Sequence, residues 1–333
     1  MQERNTMTLQ ITTGAMILAI FTILLLLNRQ TGGFFEEIFV YLMPIPMVAY
    51  TSKYSFKSGL MVFAGMCFFS FIFGTLTSMF YAVTSAFTGL VLGTCIYKKV
   101  SLAKTMLLVM GLSAFFNVLD TVALASVFGY DIDATVTEMQ AMLNQVMTTY
   151  TSTAGAQGQQ IMEQVMSIYS DQFLRQMFVI SMVFFGLIQG VVVYYLSLAV
   201  LRRMRFKVPK AEPLTTYYPP RFFALIAVAA YGYGAANLRN DAMPELQHNI
   251  SQTLWVCGYL FLAAFGILAL TLVIRKYLGI RNGLVTGILC FAAMFTFPQI
   301  LIMLGAVYVF SPDFHTALMQ PRQEAPRRPR GIL

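Results

Sequence analysis

The sequence predicts an all-α integral membrane protein with about nine transmembrane helices and an amphipathic helical hairpin outside the bilayer. Of its 333 residues, 58% are apolar and 11% charged, whereas soluble domains carry roughly 25% charged residues. The apolar residues also fall in continuous runs long enough to span hydrocarbon, and a helix satisfies its own backbone groups there. A β-barrel needs short strands of alternating polarity. These runs do not alternate.

In chain order the candidate spans are Ile11–Leu27, Phe35–Tyr50, Phe56–Phe73, Met79–Tyr97, Ala103–Phe128, Phe173–Leu201, Phe222–Leu238, Ile250–Ile274 and Gly283–Phe310. The first follows Arg4 but runs into Asn28-Arg29-Gln30 with no small-residue cleavage pattern. It therefore reads as a retained helix and not a signal peptide. Pro44 and Pro46 remove backbone donors from the second run and should break or bend it. Pro298 sits in the middle of the last run and weakens a continuous helix there.

The charges set an orientation. With the N-terminus cytoplasmic, the inner loops hold fifteen basic residues: Arg4, Lys53, Lys57, Lys98, Lys99, Lys104, Arg202, Arg203, Arg205, Lys207, Lys210, Arg221, Arg275, Lys276 and Arg281. The outer loops hold Arg29, Arg175 and Arg239 among nine acidic residues. Net charge is +8, yet its confinement to short loops beside apolar spans is a topology signal, and no nucleic-acid partner is expected. The basic tail 321–333 conflicts with a ninth full crossing, which would place it outside. A re-entrant last run would return it to the cytoplasm.

Two polar segments interrupt the spans. Residues 129–172 carry two helical stripes, Met139/Leu143/Val146/Tyr150 and Ile161/Val165/Ile168/Tyr169, separated by Gly155 and Gly158. That pattern predicts a helical hairpin on the outer face. Residues 202–221 are basic and contain four prolines, which excludes a continuous helix and suits contact with anionic lipid, a cytoplasmic partner, or an ordinary topology-setting loop. The expected organisation is a six-helix unit over 1–201, a basic linker over 202–221, C-terminal helices over 222–310 and a disordered tail over 311–333.

No catalytic constellation is visible. Cys67, Cys95, Cys257 and Cys290 lie inside apolar runs without ligand spacing, and His248 and His315 are far apart. These residues predict neither disulfide nor metal site. The sequence contains no phosphate-loop, zinc-protease or serine-hydrolase motif. An enzyme is not expected, no cofactor is implied, and driven transport requires a separate ATPase or an ion gradient.

The candidate site comes from polarity at depth, because a charge inside a span is costly. Asn117, Asp120 and Thr121 fall at i, i+3 and i+4 in the fifth span, with Ser113 one turn before Asn117. They make one polar stripe that must face the bundle interior or a watery cavity. Gln189 is a second mid-depth polar group, in the sixth span. The stripe reads either as a ligand- or cation-binding face or as an interhelical hydrogen-bond cluster that fixes packing. Gly89-x-x-x-Gly93 and Gly232-x-x-x-Ala236 mark close helix approaches, and Ala15 and Ala19 lie one turn apart on a flat patch of the first helix.

In layout, the chain resembles the YybS family of bacterial membrane proteins. The shared features are a Thr-rich entry into Gly14-Ala15, six spans, a long outer segment before the sixth, and a closing stretch Pro298…Leu304-Gly305…Asp313-Phe314. His315 stands where that family carries a basic residue. The first six helices are also similar to the substrate-binding S-components of energy-coupling-factor vitamin transporters, in which an Ala-x-x-x-Ala patch on the first helix contacts a membrane coupling subunit that bears two ATPases. Ala15 and Ala19 occupy the corresponding place.

These resemblances imply a multi-pass protein of the bacterial cytoplasmic membrane. The leading expectation is a small-molecule-binding transport component with Asn117, Asp120 and Gln189 at the ligand and Ala15 and Ala19 at the coupling partner. The rival is an envelope scaffold, in which the hairpin and the basic loop bind proteins and no small molecule is held. A transporter needs several convergent polar groups; a scaffold needs only packing.

Overall fold

The computed structural model describes residues 2–129, 131, 133–146, 148–149, 171–206, 208, 213–238, 243–280 and 282–320. Its elements among these residues are helical. They are α1 (Gln2–Gln30), α2 (Glu36–Leu42), α3 (Pro44–Tyr54), α4 (Phe56–Phe73), α5 (Leu76–Tyr97), α6 (Leu102–Phe128), α7 (133–146), α8 (Asp171–Arg203), α9 (Arg221–Asn237), α10 (Glu245–Val273), α11 (Gly283–Thr296), α12 (Pro298–Phe310) and α13 (Pro312–Met319).

Among the described residues, six helices are individually long and apolar enough to cross a membrane: α1, α4, α5, α6, α8 and α10. The other three expected spans are built differently. The second run breaks at Met43–Pro44 into α2 and α3, because Pro44 offers no N–H to the preceding turn. The seventh is the 17-residue α9. The last is bent by 112° between α11 and α12, with Pro298 opening α12.

Local chemistry sets the helix ends. Thr75 and Ser78 form a reciprocal capping box at the start of α5, which satisfies amide donors that a helix start leaves open. Gly129 closes α6 at φ +64° with its N–H on the Leu124 carbonyl, a left-handed conformation that costs glycine little. Asn282 and Ser311 cap α11 and α13 through their side chains.

Contacts divide the chain into two compact units, Met1–Gln145 with Phe178–Glu212 and Val146–Met177 with Pro213–Leu333. In the first, α1 buries Gly14, Ile17, Phe21, Leu25 and Asn28, a stripe with three- and four-residue spacing. The close approach expected at Gly89 and Gly93 is to α3: a Cβ on Gly89 would strike the Pro44 carbonyl, and one on Gly93 would overlap Thr51. A further pair, Gly186 and Gly190 of α8, sits on the α6 backbone at Ala114 and Met110.

In the second unit, Ala224, Ala269, Leu272, Tyr308, Val309 and Leu318 form a core cluster. Gly266 and Gly305 bring α10 against α12, where a Cβ on either would strike a carbonyl of the facing helix. The expected Gly232-x-x-x-Ala236 approach is not made. Gly232 and Ala236 are exposed and Gly232 has open space beyond it, while Gly234 packs on Ser251 and Trp255 of α10.

Of the expected hairpin, α7 is described and buries Val136, with Met139 and Leu143 half-buried and Val146 exposed. Tyr150 of the first stripe, the second stripe, the turn at Gly155 and Gly158, and the basic tail 321–333 lie outside the described residues. The segment expected to be disordered from 311 instead opens with α13. Ser311 caps that helix and its apolar side packs on α12 and α10, which buries Leu318 in the core cluster. All four cysteines are free. Cys95 and Cys290 are buried as small apolar groups, whereas Cys257 is exposed on the helix surface.

Candidate functional site

Helices α5, α6 and α8 bring polar side chains together within the first unit, with α8 packed on α6 through Gly186 and Gly190. The α6 stripe is turned inward as its periodicity requires: Asp120 and Ser113 are each 3% exposed. Thr84 of α5 donates to Asp120 Oδ2 at 2.9 Å. Asn117 Nδ2 donates to Gln189 Oε1 of α8 at 3.0 Å. This second bond is made possible by Gly186 and Gly190, which flank Gln189 by one turn or less and remove the side-chain bulk that would hold α8 away from α6.

Asn117, Asp120 and Gln189 thus line one cavity, together with Pro44, Tyr81, Thr84, Ser85, Thr88, Ser113, Phe116 and Val193. Its empty space is about 310 Å³, counting the part open to the surroundings. Asp120 Oδ1 and Ser113 Oγ are buried there without a hydrogen-bond partner among the described residues. A buried carboxylate oxygen left without donor or counter-charge is costly. No Lys, Arg or His lines the cavity.

The contribution of α5 was also written in the sequence. Ser78, Tyr81, Thr84, Ser85 and Thr88 recur at three- and four-residue spacing, the same face-sharing pattern that marked the α6 stripe. Hydroxyls are so common in apolar helices that the pattern carried little weight by itself. Depth and partner, not residue type, distinguish it.

A neighbouring pocket extends the polar lining toward the end of the unit where α1 finishes and α5 begins. It is lined by Asn28, Glu36, Phe39, Val40, Met43, Ser78, Tyr81 and Ala82. Tyr81 borders both spaces. Asn28, 1% exposed, has neither end of its amide paired among the described residues, and Glu36 Oε1 is likewise buried and unpaired.

Ala15 and Ala19 are elsewhere. Both are exposed on α1, on the side turned away from its buried stripe. Among the described residues, no three His, Cys, Asp or Glu side chains gather as a metal-binding group.

No curated protein and no solved structure matches this chain. A family model does: residues 19–308 match the one described as "Predicted membrane protein (DUF2232)". That span takes in both polar spaces and nearly all of the helices just described, so the chain belongs to the DUF2232 family of membrane proteins.

Proposed function

We propose that this protein is the substrate-binding component of a membrane transport system, similar in plan to an energy-coupling-factor S-component. One observation carries the reading: Asp120, buried in an apolar bundle without a basic partner, sits in a cavity where polar groups of α5, α6 and α8 converge. A scaffold needs no such lining, and leaving a carboxylate oxygen unpaired inside a membrane protein is hard to account for by packing alone. With the N-terminus cytoplasmic in a bacterial cytoplasmic membrane, as the basic loops favour, the end of the unit that holds Glu36 and the Asn28 pocket faces outward. In that topology α2/α3, α9 and the bent α11/α12 pair complete the nine crossings.

Ala15 and Ala19 are then the docking face for a membrane coupling subunit that carries ATPases. Their exposure leaves room for another helix to pack closely. The test is affinity capture of the full chain in mild detergent, wild type against Ala15→Leu/Ala19→Leu, with proteins identified by mass spectrometry. Recovery of a multi-helix membrane subunit with ATPases from wild type, and its loss in the double variant, is the expected result. Envelope or division proteins in its place, unaffected by the leucines, would replace the transport reading with the scaffold.

A further inference from the structure

We infer that the guest of the Asp120 cavity is a small inorganic monovalent cation of about sodium's size, loaded through the Asn28–Glu36 pocket. This rests on the transport reading above and names its substrate class. Four features point the same way.

The first is charge. The cavity and its neighbouring pocket contain one carboxylate each and no Lys, Arg or His. A single buried negative charge is neutralised by one positive charge. A divalent ion would leave net charge in the bundle, where it is costly, and usually draws on more than one carboxylate.

The second is donor chemistry. Asp120 Oδ1 is 3% exposed with its residue and has no partner among the described groups. Along α6 the same cavity is lined by Asn117, whose Nδ2 is given to Gln189, and by the unpartnered Ser113 hydroxyl. Ser113 lies about 10 Å farther along the helix, and adds a polar stop on the path and not a ligand to the same ion. Carboxylate, hydroxyl and amide oxygens are hard ligands that suit hard cations. An anionic guest would meet no positive group in either lining.

Size is the third. Most of the roughly 310 Å³ of empty space lies open to the surroundings, and the enclosed part beside the polar groups holds about one water-sized guest. Pockets that bury a vitamin-sized molecule enclose roughly 300–1,000 Å³, so the enclosed part of this cavity suits a partly dehydrated ion better than an organic solute.

The fourth is the route. Ser78, Tyr81, Thr84 and Thr88 share one face of α5 and cover about 15 Å at 1.5 Å per residue. They link the outer pocket to the cavity through Tyr81. At the opposite end the track closes, with Gly93 of α5 against Thr51 and Gly190 of α8 against Met110. The result is a blind cleft, with Glu36 at its mouth and Asp120 within. Acidic groups between low-dielectric walls concentrate cations, and the unpaired amide of Asn28, buried inside the pocket, offers a carbonyl oxygen on the way in.

The experiment uses the purified full chain in detergent. Binding of radioactive sodium and the thermal unfolding midpoint are measured in sodium chloride against choline chloride at matched ionic strength. Saturable sodium binding with a sodium-specific rise in the midpoint is expected. Asp120→Asn, which keeps the side chain's shape, is expected to weaken binding at least about tenfold, the change that 1.4 kcal/mol produces. Glu36→Gln is expected to slow loading while leaving a measurable site, so the inference survives a misfolded Asp120 variant. Asp313→Asn in the second unit is the control and leaves binding unchanged.

Absence of sodium binding in folded wild type overturns the inference. So does equal binding in Asp120→Asn, stabilisation by protons alone, or displacement of sodium only by organic ammonium ions. The capture experiment is independent of these outcomes. A coupling subunit recovered without sodium binding sinks the cation and leaves the transport reading. Sodium binding without any such partner does the reverse.

Discussion

Thr84 and Asp120, 36 residues apart on antiparallel α5 and α6, are joined by a 2.9 Å hydrogen bond from hydroxyl to carboxylate. It uses one oxygen of Asp120 and leaves the other unpartnered among the described residues. Half of the carboxyl group is therefore held by the protein and half is available to a guest. Thr84→Val keeps the shape and deletes the donor. It is expected to lower stability by about 1–2 kcal/mol, as for hydrogen bonds to a charged group or between membrane helices, measured by thermal unfolding in detergent. An unchanged midpoint would show that this contact is not made in the folded protein.

The Asn117–Gln189 bond crosses from α6 to α8 and is the only polar link the structure draws between these two side chains. A double-mutant cycle of Asn117→Ala and Gln189→Ala is expected to give a coupling of about 1 kcal/mol, in the range of interhelical hydrogen bonds in membranes. Strict additivity would dissolve the pair.

Small residues make a sharper test, because two neighbours on α9 behave oppositely. A Cβ at Gly234 would come within 2.5 Å of Trp255 Cβ and 2.6 Å of the Ser251 carbonyl, while Gly232 has nothing within 4 Å. Gly234→Ala is expected to cost about 2 kcal/mol or more through overpacking. Gly232→Ala is expected to be neutral or to gain about 0.5 kcal/mol from helix propensity. The ranking of their unfolding midpoints decides between the two packings of α9.

In the second unit, the Tyr218 hydroxyl donates to the Val309 carbonyl, one of the carbonyls that the end of α12 leaves without an intrahelical partner. His315 Nε2 lies 3.3 Å from the Thr215 carbonyl and its ring packs against both Tyr218 and Tyr308. Tyr218→Phe should lose about 1 kcal/mol. His315→Ala should lose more, since it removes ring packing as well as the polar contact. Both are read by thermal unfolding, with Asp313→Asn as the unchanged reference.

Ala15→Leu/Ala19→Leu should leave the isolated protein's midpoint within about 0.5 kcal/mol of wild type, because both positions are exposed on α1. A large loss would mean the patch packs within the protein and is not free to dock a partner.

The sequence by itself determined the class, the places of most helices and the inward face of α6. These depend on local quantities: apolar runs set spans, proline removes a donor at Met43–Pro44 and again at Pro298, and three- and four-residue spacing puts Ser113, Asn117 and Asp120 on one side of a helix. It also singled out Gly89 and Gly93, though not their partner. Tertiary structure decided which small residues meet a neighbour, choosing Gly234 over Gly232 and adding Gly186 and Gly190. It also decided that Thr84 faces Asp120 and that Asn28 and Glu36 share a pocket beside Tyr81. The physical reason is that lipid is as apolar as the helix faces it bathes, so hydrophobicity says that a helix is in the membrane but not which side meets another helix. That choice is made by shape and by pairing of polar groups across helices, which only the assembled chain brings together.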